Sequence, residues 1–249
     1  MLIALAVVLL LSLVLVGGDR GAKAVTTLAF NLVFLGCAVW LMSWGIPVLV
    51  VTMLVSVILS ALILFFQNGN NVKTRSAFGA SMLTMLLLFF AMSFVVWKGS
   101  AGGLNEIQTM GDMTLFYDLN LNLSMCLVQV AVIMLSTLGT VLDMALTVTT
   151  SIYEVRLHRP DLTEKEIRQS GIQMGSKIIG TTVNTLLFAY FGEMLILILY
   201  LRMRDYSLEM LLNSRMLFQN AVSMLFGAIS CILVVPIASF ISTKNLATG

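Results

Sequence analysis

Apolar residues in this sequence fall into seven long runs, which short polar or glycine-rich breaks separate. A helix needs about 20 predominantly apolar residues to cross a bilayer. The first run has the length of a signal-peptide core but lacks a basic N-terminal region, so we interpret it as a retained helix. The pattern therefore predicts seven transmembrane helices, at residues 2–16, 25–43, 47–66, 78–97, 121–154, 174–201 and 216–241.

Three connections between these runs carry structural signals. Only Trp44-Gly45-Ile46 separates the second and third runs, which predicts a tight hairpin with Pro47 in the first turn of its helix. Residues 98–121 interleave acidic and apolar side chains, as in an amphipathic helix at the membrane surface, although a structured loop is an alternative. Thr163 and Glu166 have the spacing of a capping box, so we expect an elbow helix that leads into the sixth run.

Composition supports a membrane protein. The chain has 249 residues, of which 59% are hydrophobic and only 10% are charged, whereas soluble domains contain about 25% charged residues. Its polar stretches are too short to hold a soluble catalytic domain with a core of its own. We predict an all-α, polytopic protein with a single transmembrane domain over residues 1–249, surrounded by the lipid bilayer. It divides into four N-terminal helices (1–97), an external connection (98–121) and a three-helix core (122–249) with a cytosolic elbow (155–173).

Lysine and arginine residues set the predicted orientation, because cytosolic connections carry an excess of them. With seven crossings, ten of these residues fall on one side and four on the other. The N-terminus is therefore expected outside and the C-terminus in the cytosol. The ten are Arg20, Lys23, Lys73, Arg75, Arg156, Arg159, Lys165, Arg168, Lys177 and Lys244.

An acidic residue interrupts the fifth run. Gly139, Asp143, Thr147, Thr150 and Glu154 are spaced by three or four residues and share one narrow helix face. Because a carboxylate near the bilayer centre is costly, such a group usually faces protein or a water-filled cavity. The opposite side is expected to meet lipid or apolar neighbours, through Val141, Leu142, Ala145 and Leu146.

The sixth run carries a second polar face, formed by Lys177, Gly180, Thr181 and Asn184. The elbow makes the fifth and sixth helices antiparallel neighbours, so the two faces are expected to line one polar seam. Asn184 should be nearer than Lys177 to the level of Asp143. Small residues four apart also let helix backbones approach closely, and these pairs are Gly171 with Gly175 and Ser176 with Gly180.

Two interpretations of this seam remain open. On the first interpretation, a carboxylate in surroundings of low dielectric could load and release a proton or ion as its access alternates. The alternative is a structural polar lock between two helices. An enzyme is not expected, because the sequence has one histidine, no glycine-rich phosphate loop and no nucleophile–His–acid set. No metal site, cofactor or nucleic-acid partner is indicated, and Cys37, Cys126 and Cys231 are interpreted as small buried apolar residues.

The sequence resembles the YibE/F-like membrane protein family. The similarity lies in Leu138 to Asp143, in Tyr153-Glu154, in Ser170-Gly171 and in Gly180 to Gly192. It is closest to the shorter YibF-type members, which lack the N-terminal extracytoplasmic region of the YibE type. It covers essentially the whole chain, with residues 138–192 as its specific part.

The same stretch is distantly similar to one half of an RND-type permease such as SecD/SecF. Asp143 matches the buried aspartate of that superfamily, and Lys177 matches a basic residue of the following helix. In RND-type permeases these two positions serve proton-driven transport. From this sequence we expect no large extracytoplasmic domain and only one half's set of helices. The resemblance therefore implies a partner, which is either a second copy or a YibE-like chain with an acid in place of Lys177.

We accordingly expect a transporter subunit with an RND-like core, acting as an exporter in the bacterial cytoplasmic (inner) membrane as a homodimer or heterodimer. Asp143 is the expected proton or ion site, and Glu154 the cytosolic gate. The alternative function is a non-transporting scaffold or assembly factor for a partner protein. The expected polar surroundings of the site are Thr147, Thr150, Lys177, Thr181 and Asn184.

Overall fold

The computed structural model describes residues 1–99 and 124–247, and every regular element within them is helical. Six helices in this part of the chain are long and apolar enough to cross a membrane, which confirms the all-α, polytopic fold. Residues 100–121 of the predicted amphipathic connection lie outside the described residues. The elements are α1 (Leu2–Ser43), α2 (Val48–Ala61, continued by a π-helix at Leu62–Gln67), α3 (Val72–Lys98), α4 (Met125–His158), α5 (Glu164–Arg202), α6 (Leu208–Leu212) and α7 (Arg215–Ala247).

The first two predicted segments are the two arms of α1. The helix is interrupted at Gly18, whose φ of 54° and ψ of −133° are not helical. The arms come very close beside this bend, because a Cβ atom on Gly21 would overlap the backbone carbonyl of Leu13. Only the second arm contributes to the bundle, where Phe30 packs edge-to-face on Phe66 at 6.4 Å between ring centroids.

Helix α4 lies at the centre of the bundle and contacts α2, α3, α5 and α7. Its packing face is the apolar side, on which Val141, Leu142 and Ala145 are buried. The interior of the protein therefore covers the side that we expected to meet lipid or apolar neighbours, and the polar side of α4 faces outward.

Two glycines bring α5 close to α4 and α7. A Cβ atom on Gly171 would lie 2.6 Å from Ile152 Cγ1 of α4 and 3.0 Å from Ser239 Oγ of α7. Gly175 is similarly close to Val148 and Val235. The first predicted small-residue pair therefore serves helix packing, whereas the second pair, Ser176 with Gly180, is exposed.

The predicted capping box forms the start of α5. Glu166 N donates to Thr163 Oγ1 at 3.4 Å, and Thr163 N donates to Glu166 Oε2 at 2.8 Å. Helix α5 then continues without interruption to Arg202, and α4 extends to His158. The elbow is therefore only residues 159–163, shorter than the expected 155–173, because the flanking residues extend the two long helices.

The cysteines differ in burial. Cys231 is fully buried in α7, as expected of a small apolar residue. Cys126 is half-buried and Cys37 is exposed. The prediction of three buried cysteines is therefore wrong for Cys37, which lies on the outer side of α1, where few other elements pack.

Candidate functional site

Asp143 lies near the middle of α4 and is exposed at the surface of the chain. It is roughly 27 Å from the start of the helix and roughly 22 Å from its end, at 1.5 Å per residue. Among the described residues, no side chain makes a hydrogen bond or ion pair with its carboxylate. The chain therefore presents an uncompensated acidic group at mid-helix on its outer surface.

The polar residues that share this face of α4 are also outward or half-buried. Gly139 is exposed, and a Cβ atom built on it would meet nothing within 4 Å. Thr147 and Thr150 are half-buried, and Glu154 is exposed. The sequence-predicted face of α4 is thus continuous along the surface, over about three turns from Asp143 to Glu154.

Two hydroxyl groups in this part of α4, those of Thr147 and Ser151, are directed back to their own helix. Thr147 Oγ1 donates to the Asp143 carbonyl at 2.8 Å, and Ser151 Oγ donates to the Thr147 carbonyl at 2.9 Å. A hydroxyl that donates its only hydrogen keeps its lone pairs as acceptors. The Thr147 hydroxyl oxygen can therefore still accept a hydrogen bond from water or a protonated carboxyl group, or coordinate a cation.

Helices α4 and α5 contact each other through a different set of residues. Thr182 Oγ1 lies 3.6 Å from Met144 Sδ, and Gly175 packs against Val148. Lys177 and Asn184 are both exposed. At 100° per residue, Lys177 is about 200° around α5 from Gly175, so it points away from the bundle. The expected polar seam between the two helices is therefore not formed within one chain.

The contact between Met144 and Thr182 also shows which residues of α4 and α5 lie at the same height along the two helices. Asp143 adjoins Met144, so it lies close to the level of Thr182. Asn184 is two residues from Thr182, whereas Lys177 is five residues away. This register agrees with the expectation that Asn184 is nearer than Lys177 to the level of Asp143.

Glu154 opens into a cleft of about 400 Å³ at the end of α4. His158, the last residue of α4, shares this cleft, and its Nδ1 is 3.0 Å from the Glu154 carbonyl. His158 was not among the site residues predicted from the sequence, although its spacing of four from Glu154 places the two on one helix face. The cleft is lined by Thr150, Ser151, Glu154, Val155, His158, Arg159 and Met174.

The Asp143 carboxylate can bind a proton or a small cation when water or another protein covers this face of α4. A carboxylate supplies the charge, and the adjacent hydroxyl oxygens supply acceptors. In the described part of the chain, no three His, Cys, Asp or Glu residues are grouped as metal ligands. The site is therefore one carboxylate with hydroxyl neighbours.

Comparison with known proteins gives one match. A family model described as YibE/F-like protein matches residues 5–248, which include every residue of the candidate site. No curated protein and no solved structure matches the chain.

Proposed function

This chain belongs to the YibE/F-like protein family, and we propose that it works as one subunit of a proton- or ion-coupled membrane transporter, an exporter. The observation that carries the proposal is the exposure of Asp143 at mid-helix, without a partner in the described chain. Asp143 would load and release the coupling proton or ion.

The cost of a charge in lipid supports a covered site. An aspartate at the bilayer centre costs about 3 kcal/mol on insertion scales, and simulations of charged groups give larger values. Whole domains are stable by only about 5–15 kcal/mol. A face that combines this acid with a row of hydroxyl groups is therefore expected to meet water or another protein rather than acyl chains.

A second membrane chain, either another copy or a YibE-like subunit, is proposed to cover this face of α4. Gly139 of α4 and Gly180 of α5 have open space around them, so another backbone can approach both helices. Lys177 offers an opposite charge on the outward face of α5. On this proposal α4, α5 and α7 form an RND-like half, and the polar surroundings of Asp143 are completed by the partner.

The cleft at Glu154 would be the cytosolic gate. The cluster of lysine and arginine residues around the end of α4, the start of α5 and the end of α7 supports a cytosolic position for this end of the bundle. The proposal therefore places the protein in the cytoplasmic (inner) membrane with the N-terminus outside. Protons would pass between the cleft and Asp143 along Thr150 and Thr147.

Thiol labelling tests whether this path is hydrated, without knowledge of the substrate. In a variant whose three cysteines are replaced, Thr147→Cys and Thr150→Cys should react in membranes with a membrane-impermeant maleimide added from the cytosolic side. Leu86→Cys is the matched control, because Leu86 is an exposed apolar position of α3 and should stay unlabelled in lipid. Unreactive thiols at both threonine positions would favour the scaffold function, which needs no water path.

Proton flux tests the role of the acid. Vesicles that contain the chain with its partner should dissipate an imposed pH gradient, and Asp143→Asn should reduce the rate to that of empty vesicles. Asp161→Asn removes an exposed acid of the elbow and is the control, expected to keep the wild-type rate. Full flux with Asp143→Asn, in a complex of normal composition, would refute the assignment of Asp143.

A further inference from the structure

A cavity of about 530 Å³ lies between the start of α5 and the end of α7, away from the polar face of α4. Three basic side chains contribute to it, Lys165 and Arg168 from α5 and Lys244 from α7, against one acidic side chain, Glu164. Its remaining lining residues are Phe240 and Thr243. The described lining of the cavity therefore has more basic than acidic side chains, and neither the proposed coupling site nor its cleft uses these residues.

The apolar part of the cavity lies on the membrane side of its charges. Phe240 precedes Lys244 by four residues, so the two share one face of α7, with the phenylalanine one turn deeper in the helix. Its side chain is 56% exposed and lines the cavity. A molecule that fills the cavity thus meets cations at one end and an aromatic surface about 6 Å away along the helix axis.

The basic side chains and the aromatic ring of this cavity together limit which anions can fill it. The guanidinium of Arg168 and the ammonium groups bind phosphate oxygens well. Basic pockets between transmembrane helices at a membrane surface are typical sites for anionic lipid headgroups. Inorganic phosphate could use the cations but would leave Phe240 without a partner, whereas an acyl chain of a phospholipid would cover that ring.

We propose that this cavity is a binding site for an anionic phospholipid, which places its phosphate among Lys165, Arg168 and Lys244 and an acyl chain against Phe240. The lipid would link the first turns of α5 to the last turns of α7 and so stabilise this end of the bundle. The site does not depend on the transport proposal, because its residues are separate from Asp143 and its polar face.

The test uses the full chain in a mild detergent at low salt, titrated with short-chain phosphatidylglycerol, with short-chain phosphatidylcholine and with inorganic phosphate. Phosphatidylglycerol should raise the melting temperature of the wild type, while the other two should leave it nearly unchanged. Lys165→Gln combined with Arg168→Gln should weaken the apparent affinity by about fivefold for each cation removed. Equal effects of phosphatidylcholine or of phosphate would overturn the proposal.

Three further variants separate lipid binding from a general loss of folding. Arg20→Gln with Lys23→Gln removes two exposed cations from α1 and should keep the response to phosphatidylglycerol. The exchange Lys165→Arg with Arg168→Lys keeps the charge and should keep most of the response. Glu164→Gln removes the carboxylate found among the described lining residues of the cavity and should strengthen binding. An unchanged affinity in both Glu164→Gln and the double glutamine variant would refute the site.

Discussion

Gly175 of α5 packs directly on Val235 of α7: a Cβ atom on this glycine would lie 2.5 Å from Val235 Cγ1 and 3.0 Å from Cγ2. The same atom would be 3.2 Å from Val148 Cγ2 of α4. Helix α5 therefore occupies the groove between α4 and α7 at backbone distance. Because lipid tails are as apolar as a protein core, such close van der Waals packing is a main source of helix association in a membrane.

Substitution of this glycine should loosen the bundle. Gly175→Ala places a methyl group where two valine side chains already lie, and overpacking of this kind costs about 1–3 kcal/mol. We expect a lower melting temperature in detergent, measured by the monodisperse fraction that survives heating. Gly180→Ala is the control on the same helix, because a Cβ atom there meets nothing within 4 Å.

The control should be neutral or slightly stabilising, since alanine favours a helix over glycine by about 1 kcal/mol. If Gly175→Ala and Gly180→Ala had equal melting temperatures, α5 would not pack in this groove.

The stability of the first turn of α5 should depend on its N-cap residue, Thr163. Thr163 Oγ1 accepts the hydrogen bond of Glu166 N, and loss of such a cap costs about 1 kcal/mol. Thr163→Ala should speed hydrogen exchange of the amides in residues 164–168, because the first turn would fray, while Thr163→Ser should retain protection. Equal exchange in both variants would show that the remaining elbow contacts hold this turn.

Hydropathy and local signals could predict much of the fold. The apolar runs located every long helix of the described chain, and Thr163 with Glu166 marked the start of α5 correctly. Helix α3 begins at Val72 rather than at the predicted residue 78. The prediction missed its first turns because Lys73 and Arg75 interrupt the apolar run there. Asn71 caps this start by a capping box with Thr74.

The direction in which each helix face points could not be predicted. In a soluble protein the polar face of a helix points outward, but in a membrane protein apolar residues occur on both the core and lipid sides. The spacing in the sequence groups the polar residues of α4 on one helix face, yet it gives no means to decide whether that face meets α5 or the outside. That choice depends on the close fit of Gly171 and Gly175 against side chains of α4 and α7, which only the tertiary structure shows.

The bend in α1 should depend on Gly18. Its φ of 54° with ψ of −133° lies in a region that side-chain-bearing residues rarely adopt, at a cost of about 1–3 kcal/mol. Gly18→Ala should therefore open the bend, which can be measured as a longer distance between nitroxide labels at positions 5 and 32 of a chain without other cysteines. Gly17→Ala is the neighbouring control, because a Cβ atom at Gly17 meets nothing within 4 Å. An unchanged distance in Gly18→Ala would mean that contacts between the arms, such as that of Gly21 with Leu13, fix the bend.

The open face around Asp143 leads to a prediction about assembly. Gly139 is one turn from Asp143, and a leucine side chain at this position would extend into the space in which the proposed partner must pack. Gly139→Leu should leave the melting temperature of the isolated chain nearly unchanged, since the chain offers no neighbour there. It should nevertheless shift the protein from dimer, or from complex with a co-expressed YibE-like chain, to monomer. Light scattering coupled to size-exclusion chromatography measures this mass directly.

The control for this prediction is Gly36→Leu. Gly36 is likewise exposed in a long helix with nothing within 4 Å of a built Cβ atom, but it lies on α1, far along the chain from the polar face. Both substitutions add the same apolar surface, so detergent effects on mass are matched. Because a carboxylate in lipid is far more costly than an added leucine, the partner should cover the face with Asp143 and not the face with Gly36. If Gly139→Leu assembled as well as Gly36→Leu, the covering chain would have to lie elsewhere, and hydration alone would have to accommodate Asp143.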